Sequence, residues 1–388
     1  MANKLRAGIV GLGILGQQYL DFLSKRKDVD VVALCDVRPA VAAELAGPAG
    51  AKAFTGVDAM VADAPLDLVV VATPDHLHRE PSLAAINAGV PNIVQEKPLA
   101  TILADATAIA DAAAQHGTRL FINYANRAMP LDLATYYVIQ QGLIGRPIYA
   151  ESRLDDNISV PTSLWGIRSR EFSAGSSPAH FLLSHVVDLM LWTFAPAKVV
   201  DVYAITQREV LGFTPDLYDA FLTFDSGLKV RVKAEWIKHM DGIVEYYTSI
   251  SGDEGTVIYN KRPGFGVQES WRANFSGSVL DASALVRHQH ALGDAGIALR
   301  AGHHYFFDDD DFQPSSVAMS LEHVGPDEAH GLMLLGPMLD AIQQDTLTPT
   351  SWQGRGPLPT HVDGLRQVHV VDAIIASSAR GEPVAPAG

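Results

Sequence analysis

The sequence predicts two domains: a doubly wound α/β domain first, then an α+β domain whose sheet is antiparallel or mixed. Three features of the chain carry that prediction. Between residue 5 and about residue 124, short β-rich apolar runs alternate with longer Ala-rich stretches of helical period. A glycine cluster, Gly11-Leu12-Gly13-Ile14-Leu15-Gly16, stands where the first of those runs gives way to a helical stretch. Beyond residue 124 the texture changes to period-two alternation. At 388 residues the chain can bury two cores, and the expected domains are 1–124 and 125–388.

The apolar runs at 7–10, 29–35, 68–72, 92–94 and 120–122 read as strands. Helical candidates fall between them at 15–25, 39–46, 81–88 and 102–116. Strands that alternate with helices require right-handed crossovers, hence a parallel sheet covered on both faces. A helix is expected over 130–141. The runs 218–224 and 228–236 then flank Asp225-Ser226-Gly227, which is a hairpin signal. In the second run Leu228, Val230, Val232, Ala234 and Trp236 share one face, and Lys229, Arg231, Lys233 and Glu235 the other. The stretch 262–326, rich in Gly, His and Asp, is expected to be loops and short elements.

Composition narrows the partners. Hydrophobic residues make up 48% and charged residues 19%, as in ordinary globular proteins. The net charge of -15 repels phosphate backbones and acidic membrane surfaces, so neither nucleic acid nor membrane is expected as a partner. The single cysteine, Cys35, excludes an intrachain disulfide. With no signal-like opening and no apolar run near the roughly 20 residues that span a bilayer, the expected compartment is the cytoplasm.

The glycine cluster is a G-x-G-x-x-G motif in strand–turn–helix context. Gly11 permits the tight turn, Gly13 lets backbone approach a pyrophosphate, and Gly16 lets helix and strand pack closely. Leu12, Ile14 and Leu15 complete the cofactor turn. Asp36 closes the second strand about 20 residues after Gly16, where an acid accepts hydrogen bonds from ribose hydroxyls. The predicted cofactor is therefore a nicotinamide dinucleotide. Asp36 favours NAD, and Arg38, two residues on, leaves NADP open.

Further along stand Thr73-Pro74-Asp75-His76-Leu77-His78, Ala88-Gly89-Val90, Glu96-Lys97-Pro98-Leu99-Ala100 and Asn126-Arg127. This succession resembles the glucose-fructose oxidoreductase, inositol dehydrogenase and MocA family. Weaker matches follow, including Ser251-Gly252-Asp253-Glu254-Gly255-Thr256 and a final helix near 364–379. The resemblance implies a Rossmann domain and a second domain built on a large, mostly antiparallel sheet. It also implies hydride transfer at a carbinol carbon of a sugar, cyclitol or related polyol, in a homodimer or homotetramer joined through that sheet. It places Thr73, Pro74, His78, Glu96 and Lys97 at the cofactor, with Lys97 also at the substrate beside Asn126 and Arg127.

The family's other signature is a Gly-rich turn leading to a helix with an acid, a histidine four residues later and an Asp three after that. His185 and Asp188 match it, but the acid's position is Phe181. Ser177 reads as an N-cap and Pro178 as a first helical residue. On one continuous helix, Phe181 and His185 share a face and His180 points about 140° away, at ~100° per residue. Whether His180 stands in for the missing acid stays open at this point. Lys97, His185 and His180 are the candidate catalytic residues, with Asp188 and Arg168 beside them as substrate contacts and Trp165 on the nicotinamide side.

No metal is expected. His76 and His78 lack a third ligand nearby, and His288, His290, His303 and His304, before Asp308 to Asp311, read as a solvated loop. The missing acid keeps a second enzyme class open, a glycosidase or lyase that uses NAD transiently. A non-enzymatic dinucleotide-binding regulator is the third reading, weakened by Lys97.

Overall fold

A computed structural model describes residues 4–261, 269–276, 282–294, 297, 300–302, 316–322 and 330–387. The chain divides into two compact units, Met1–Ala125 with Ala329–Asp372, and Asn126–Glu328 with Ala373–Ala387.

The first unit begins with β1 (Leu5–Val10), α1 (Ile14–Ser24), β2 (Val29–Cys35), α2 (Pro39–Ala49), β3 (Lys52–Phe54) and α3 (Val57–Asp63). It continues with β4 (Leu68–Val71), α4 (Arg79–Asn87), β5 (Asn92–Glu96), α5 (Leu103–His116) and β6 (Arg119–Asn123). The six strands form one parallel sheet in the order β3-β2-β1-β4-β5-β6, which reverses direction between β1 and β4. That reversal opens a crevice at the carboxyl ends of the strands, where doubly wound sheets bind ligands. β4 and β5 are buried along their whole length, as strands covered on both faces must be. Five strands and four helices fall where the sequence pattern puts them. The pair β3 and α3 was not anticipated, because three residues are too few to show a period.

The second unit holds α6 (Pro130–Gln140), β7 (Pro147–Asn157), α7 (Ser159–Thr162), α8 (Ile167–Ala174), α9 (Pro178–Phe181) and α10 (Leu183–Thr193). Strands β8 (Val199–Gln207), β9 (Leu217–Phe224), β10 (Lys229–Lys238), β11 (Val244–Gly252) and β12 (Gly255–Asn260) follow. Then come β13 (Glu269–Ser276), α11 (Ala282–Asp294), β14 (Arg300–Gly302) and β15 (Ser316–Glu322). Their nine-stranded sheet has the order β14-β15-β13-β12-β11-β7-β10-β9-β8. Every pair is antiparallel except β7 with β10. The hairpin at Asp225-Ser226-Gly227 forms as expected, with Gly227 at φ +89° and its N–H donating to the Phe224 carbonyl at 2.9 Å. Val230, Val232, Ala234 and Trp236 of β10 are fully buried.

The stretch 262–326, expected to be loops and short elements, contains β13, α11, β14 and β15 among its described residues. Among the described side chains of helix α11, Leu285 and Leu292 are buried, seven residues apart, a stripe too sparse to stand out from its polar surroundings. The domain division differs. Helices α12 (Leu335–Gln344) and the first part of α13 (His361–Arg380), expected in a second domain running to residue 388, belong to the first unit. There the Ile122 N–H donates to the Pro359 carbonyl at 3.1 Å, Phe121 bridges to Thr360, and Arg119 pairs with Asp345. Val368 of α13 joins the core against the sheet.

Candidate active site

The glycine turn after β1 is shaped by what it lacks. Gly11 has φ +87°, and a Cβ there would sit 2.7 Å from the Ala72 carbonyl carbon and oxygen. A Cβ on Gly16 would lie 1.8 Å from the Gly11 oxygen. Both positions therefore need glycine for internal packing. Gly13 differs, since a Cβ there would meet nothing within 4 Å. It is the N-cap of α1 and offers no side-chain cap, so the first-turn N–H groups at Ile14, Leu15 and Gly16 are left for an anion. The open space at Gly13 and the uncapped helix fit a dinucleotide pyrophosphate. Leu12 is buried and pins the turn, while Ile14 and Leu15 are exposed.

Asp36 and Arg38, rivals for cofactor choice in the sequence, are paired. Asp36 Oδ1 accepts from the Arg38 backbone N–H at 2.9 Å and from Nε at 2.8 Å. Oδ2 accepts from Arg38 Nη2 at 2.8 Å and from the Leu12 N–H at 2.9 Å. Burial works against ionisation of Asp36, but these four donors outweigh it and hold the carboxyl below its ordinary value. Four donors fill the acceptor capacity of a carboxylate. A ribose hydroxyl reaching Asp36 must therefore displace or share one of Arg38's bonds.

The turn carrying Lys97 follows β5 and includes a cis Lys97–Pro98 bond. Beneath it lies a buried polar network. His78 Nδ1 faces the Pro98 carbonyl at 2.7 Å and Nε2 faces the Thr73 carbonyl at 3.0 Å, which joins the turns after β4 and β5. Gln95 Nε2 donates to the carbonyls of Pro98 and Leu99 at 3.2 and 2.9 Å, and its Oε1 accepts from Ser82 at 2.6 Å. Glu96 Oε1 accepts from Tyr19 and Asn123, both at 2.8 Å. Burial raises the Glu96 carboxyl above its ordinary value, although those two donors pull the other way. His78 is only 1% exposed and braces the two turns. Glu96 is engaged in the same way. Thr73 is half-buried, with its hydroxyl donating to the Leu77 carbonyl at 3.2 Å, and Pro74 is exposed.

In the second unit Arg127 and Asp188 form a bidentate pair at 2.9 and 2.5 Å, with side chains 3% and 2% exposed. These two expected substrate contacts are paired with one another inside the unit. Asn126 is the oxygen partner of a lysine that sequence reasoning missed. Lys261 Nζ donates to Asn126 Oδ1 at 2.9 Å and lies 2.5 Å from Asp132 Oδ2. Asp132 Oδ1 accepts from the Tyr259 hydroxyl at 2.7 Å. The available signal was Asp132 itself, an acid on the apolar helix α6.

Residues 5–124 match the oxidoreductase family described as having an NAD-binding Rossmann fold, and residues 134–258 match the GFO/IDH/MocA C-terminal domain. Inositol 2-dehydrogenase of Acidothermus cellulolyticus is 31% identical over 259 residues, which cover 66% of this chain and 72% of that protein. This chain belongs to the GFO/IDH/MocA family. It is an oxidoreductase whose first domain is an NAD-binding Rossmann domain. The 1,5-anhydro-D-fructose reductase of Ensifer adhaerens is 31% identical over 198 residues, covering 50% of this chain and 59% of that one. Among solved structures, the WlbA dehydrogenase from Bordetella pertussis, in complex with NADH and UDP-GlcNAcA, shares the fold at TM-score 0.72 and 21% identity over 100% of this chain and 99% of that one.

Against the GFO/IDH/MocA signature, the position of the missing acid is now structurally plain. The Phe181 ring packs on Phe172 at 4.8 Å and on Trp236 at 6.1 Å, and Trp165 stacks edge-on against Phe172 at 6.2 Å. An aromatic cluster of α8, α9 and β10 fills the place. The single helix expected over this segment is interrupted at Leu182, between α9 and α10. His185 N–H donates to the Leu182 carbonyl, three residues back, at 3.1 Å. The 140° separation of His180 from His185 was reckoned on one continuous helix, and this break lies between the two residues. Ser177 caps α9 as expected, with its Oγ 2.9 Å from His180 Nδ1. Arg168 is exposed on α8.

His76 is exposed while His78 is buried, so the two do not converge. His288 and His290 lie on helix α11, not a loop, and His288 Nδ1 is 2.9 Å from the Tyr137 hydroxyl. His303, His304 and Asp308 to Asp311 lie outside the described residues. Among the described residues no group of three or more His, Cys, Asp or Glu is placed to hold a metal. Among them, too, no helix is long and apolar enough to cross a membrane.

Proposed function

We propose that this protein transfers a hydride between NAD(H) and a carbinol carbon of a sugar, cyclitol or related polyol. The observation that carries the reading is the glycine turn, where Gly11 and Gly16 are required by packing and Gly13 leaves room for a ligand. The names of relatives, inositol 2-dehydrogenase and 1,5-anhydro-D-fructose reductase, supply the substrate class. Bound nicotinamide accepts or supplies the hydride. Lys97, held at the end of β5 by the His78 and Gln95 network, stabilises negative charge developing on the carbinol oxygen. His185 takes the hydroxyl proton, imidazole being the side chain most often used for proton transfer. His180, braced by Ser177, is the second candidate for that proton. Asn126 and Arg168 contact the substrate.

The protein acts in the cytoplasm as a homodimer or homotetramer, without nucleic acid or membrane partners. Support for assembly comes from the outer face of the second unit's sheet. There Tyr203 and Phe221, 44% and 48% exposed, lie beside ion pairs such as Arg231–Asp219 at 2.6 Å. Light scattering that returned a monomer mass at micromolar concentration would overturn that assembly.

The deciding experiment is a screen of sugars, cyclitols and sugar acids with NAD and NADP, read by absorbance of reduced nicotinamide. Turnover of a polyol supports the reading, and its absence across the panel defeats it. The aromatic cluster at Phe181 favours keeping a transient-redox lyase or glycosidase as the second reading. Stoichiometry separates the two, since a dehydrogenase forms one NADH per product and the transient mechanism forms none in net.

A further inference from the structure

We propose that Lys261 is a positioning residue that fixes the Asn126 side-chain amide as a hydrogen-bond donor toward an oxygen of the substrate. This rests on Asn126 being a substrate contact, as proposed above. An amide can turn either its oxygen or its nitrogen to a neighbour. An ammonium only donates. Its place 2.9 Å from Asn126 therefore assigns that atom as Oδ1 and leaves Nδ2 on the other side.

The ammonium itself is held on every side. Asp132 Oδ2 lies 2.5 Å away, Met129 Sδ 3.2 Å, and the Tyr246 ring centroid 4.1 Å. Tyr259 in turn fixes Asp132 through its hydroxyl at 2.7 Å. The line Tyr259, Asp132, Lys261, Asn126 thus runs from the sheet to the first residue of the second unit. Burial lowers the Lys261 amine from its ordinary value and raises the Asp132 carboxyl, while their proximity pulls the amine back up. Among the described residues, Asn126 Nδ2 donates to nothing, and the residue is 9% exposed.

A chemical preference follows. With Oδ1 turned to Lys261, the other edge of the Asn126 amide presents the Nδ2 donor, which recognises an acceptor such as a hydroxyl oxygen whose proton is committed elsewhere, a carbonyl or a carboxylate. A substrate lacking that oxygen loses the interaction, whereas one offering only a donor gains nothing from it.

Removing Lys261 alone strands a buried Asp132 and can unfold the unit, so the test uses Lys261→Met/Asp132→Asn, which keeps an oxygen for Tyr259. Alongside it go Asn126→Ala and the triple variant, each checked for NADH affinity and thermal midpoint. The probe is whichever of myo-inositol, D-glucose and levoglucosan the unmodified enzyme turns over. Losing one such hydrogen bond should raise the substrate KM about tenfold in either variant, with kcat within a few-fold and NADH affinity unchanged. The triple variant should be no worse than Asn126→Ala, because one interaction cannot be lost twice. A wild-type KM in the folded double variant, or additive losses in the triple, overturns the proposal. Nitrogen NMR of the Asn126 side-chain amide, identified by its disappearance in Asn126→Ala, tests the orientation without any substrate. It should shift in the double variant, and an unmoved resonance overturns the proposal. Failure of all three probes on the unmodified enzyme counts instead against the polyol reading.

Discussion

The turn after β1 and the α9–α10 segment each carry a signature of the GFO/IDH/MocA family, yet they are built in opposite ways. The first works by omission: three glycines, two demanded by neighbouring backbone and one opening space. The second works by partnership, with Ser177 against His180, Arg127 against Asp188, and Phe181 inside an aromatic cluster. Omission is local and travels with the sequence. Partnership reaches to residues as far as 61 positions away, from Arg127 to Asp188, so the same motif can hold different chemistry when one partner changes.

The largest test of that contrast is turnover. Lys97→Ala and His185→Ala should each lower kcat by roughly 10²- to 10⁴-fold while NAD affinity stays within a few-fold. If His185→Ala is nearly normal and His180→Ala is not, the proton belongs to His180 and the role across the Leu182 break is reversed.

Next in size is the partnered region's stability. Asp188→Ala leaves Arg127 buried without its carboxylate and should cost about 3–5 kcal/mol in a denaturant melt. An apolar replacement of both partners should recover most of the loss. Equal stability of Asp188→Ala and the unmodified protein would show that the pair is incidental.

The glycines should separate cleanly. Gly11→Ala is penalised by about 1–2 kcal/mol for its positive φ, and the contact with Ala72 adds to that. Gly13→Ala should leave stability within about 0.5 kcal/mol, since it meets only open space. Its NADH affinity should nonetheless fall at least about tenfold, roughly 1.4 kcal/mol, by calorimetric titration. Unchanged affinity would place the pyrophosphate elsewhere.

Smaller still is cofactor discrimination. NAD(H) should bind more tightly than NADP(H), and Asp36→Ala should narrow the difference. Tighter NADP(H) binding by the unmodified protein would show that Arg38 governs the pocket despite its pairing with Asp36.

The last effect is on pH. Burial holds His78 below the ordinary imidazole value, so the folded protein resists a proton that the unfolded chain takes up below about pH 6.5. Its contribution is whole above that value and declines as pH falls, by at most about 1.4 kcal/mol per unit. His361 and His369 are lowered by burial too and add to the slope. The thermal midpoint should drop from pH 7 to 5.5, and His78→Asn should make that drop shallower.

Legibility followed the same division. Val29–Cys35, β2, sits where its apolar run does, and the hairpin at Gly227 forms from its turn residues, because each depends on period and φ. The NAD-binding Rossmann assignment came from the same kind of signal. What could not be seen was pairing. Nothing near Asp36 says that Arg38 will saturate it, and nothing near Asn126 points to Lys261, 135 residues away. The α9–α10 break escaped notice because Leu182 is a good helix former, and tertiary packing overrides such propensity.

The return of Ala329–Asp372 to the first unit has a consequence for synthesis. A chain emerging from the ribosome finishes β6 long before its covering segment exists, since Phe121 and its bridging partner Thr360 are 239 positions apart (360 minus 121). At about 5–20 residues per second, that edge waits on the order of 10–50 s with its backbone groups uncovered. An open strand edge is a template for pairing with another chain. The whole second sheet is translated during that interval, so the nascent Rossmann unit spends its most aggregation-prone period tethered to a neighbour still being made.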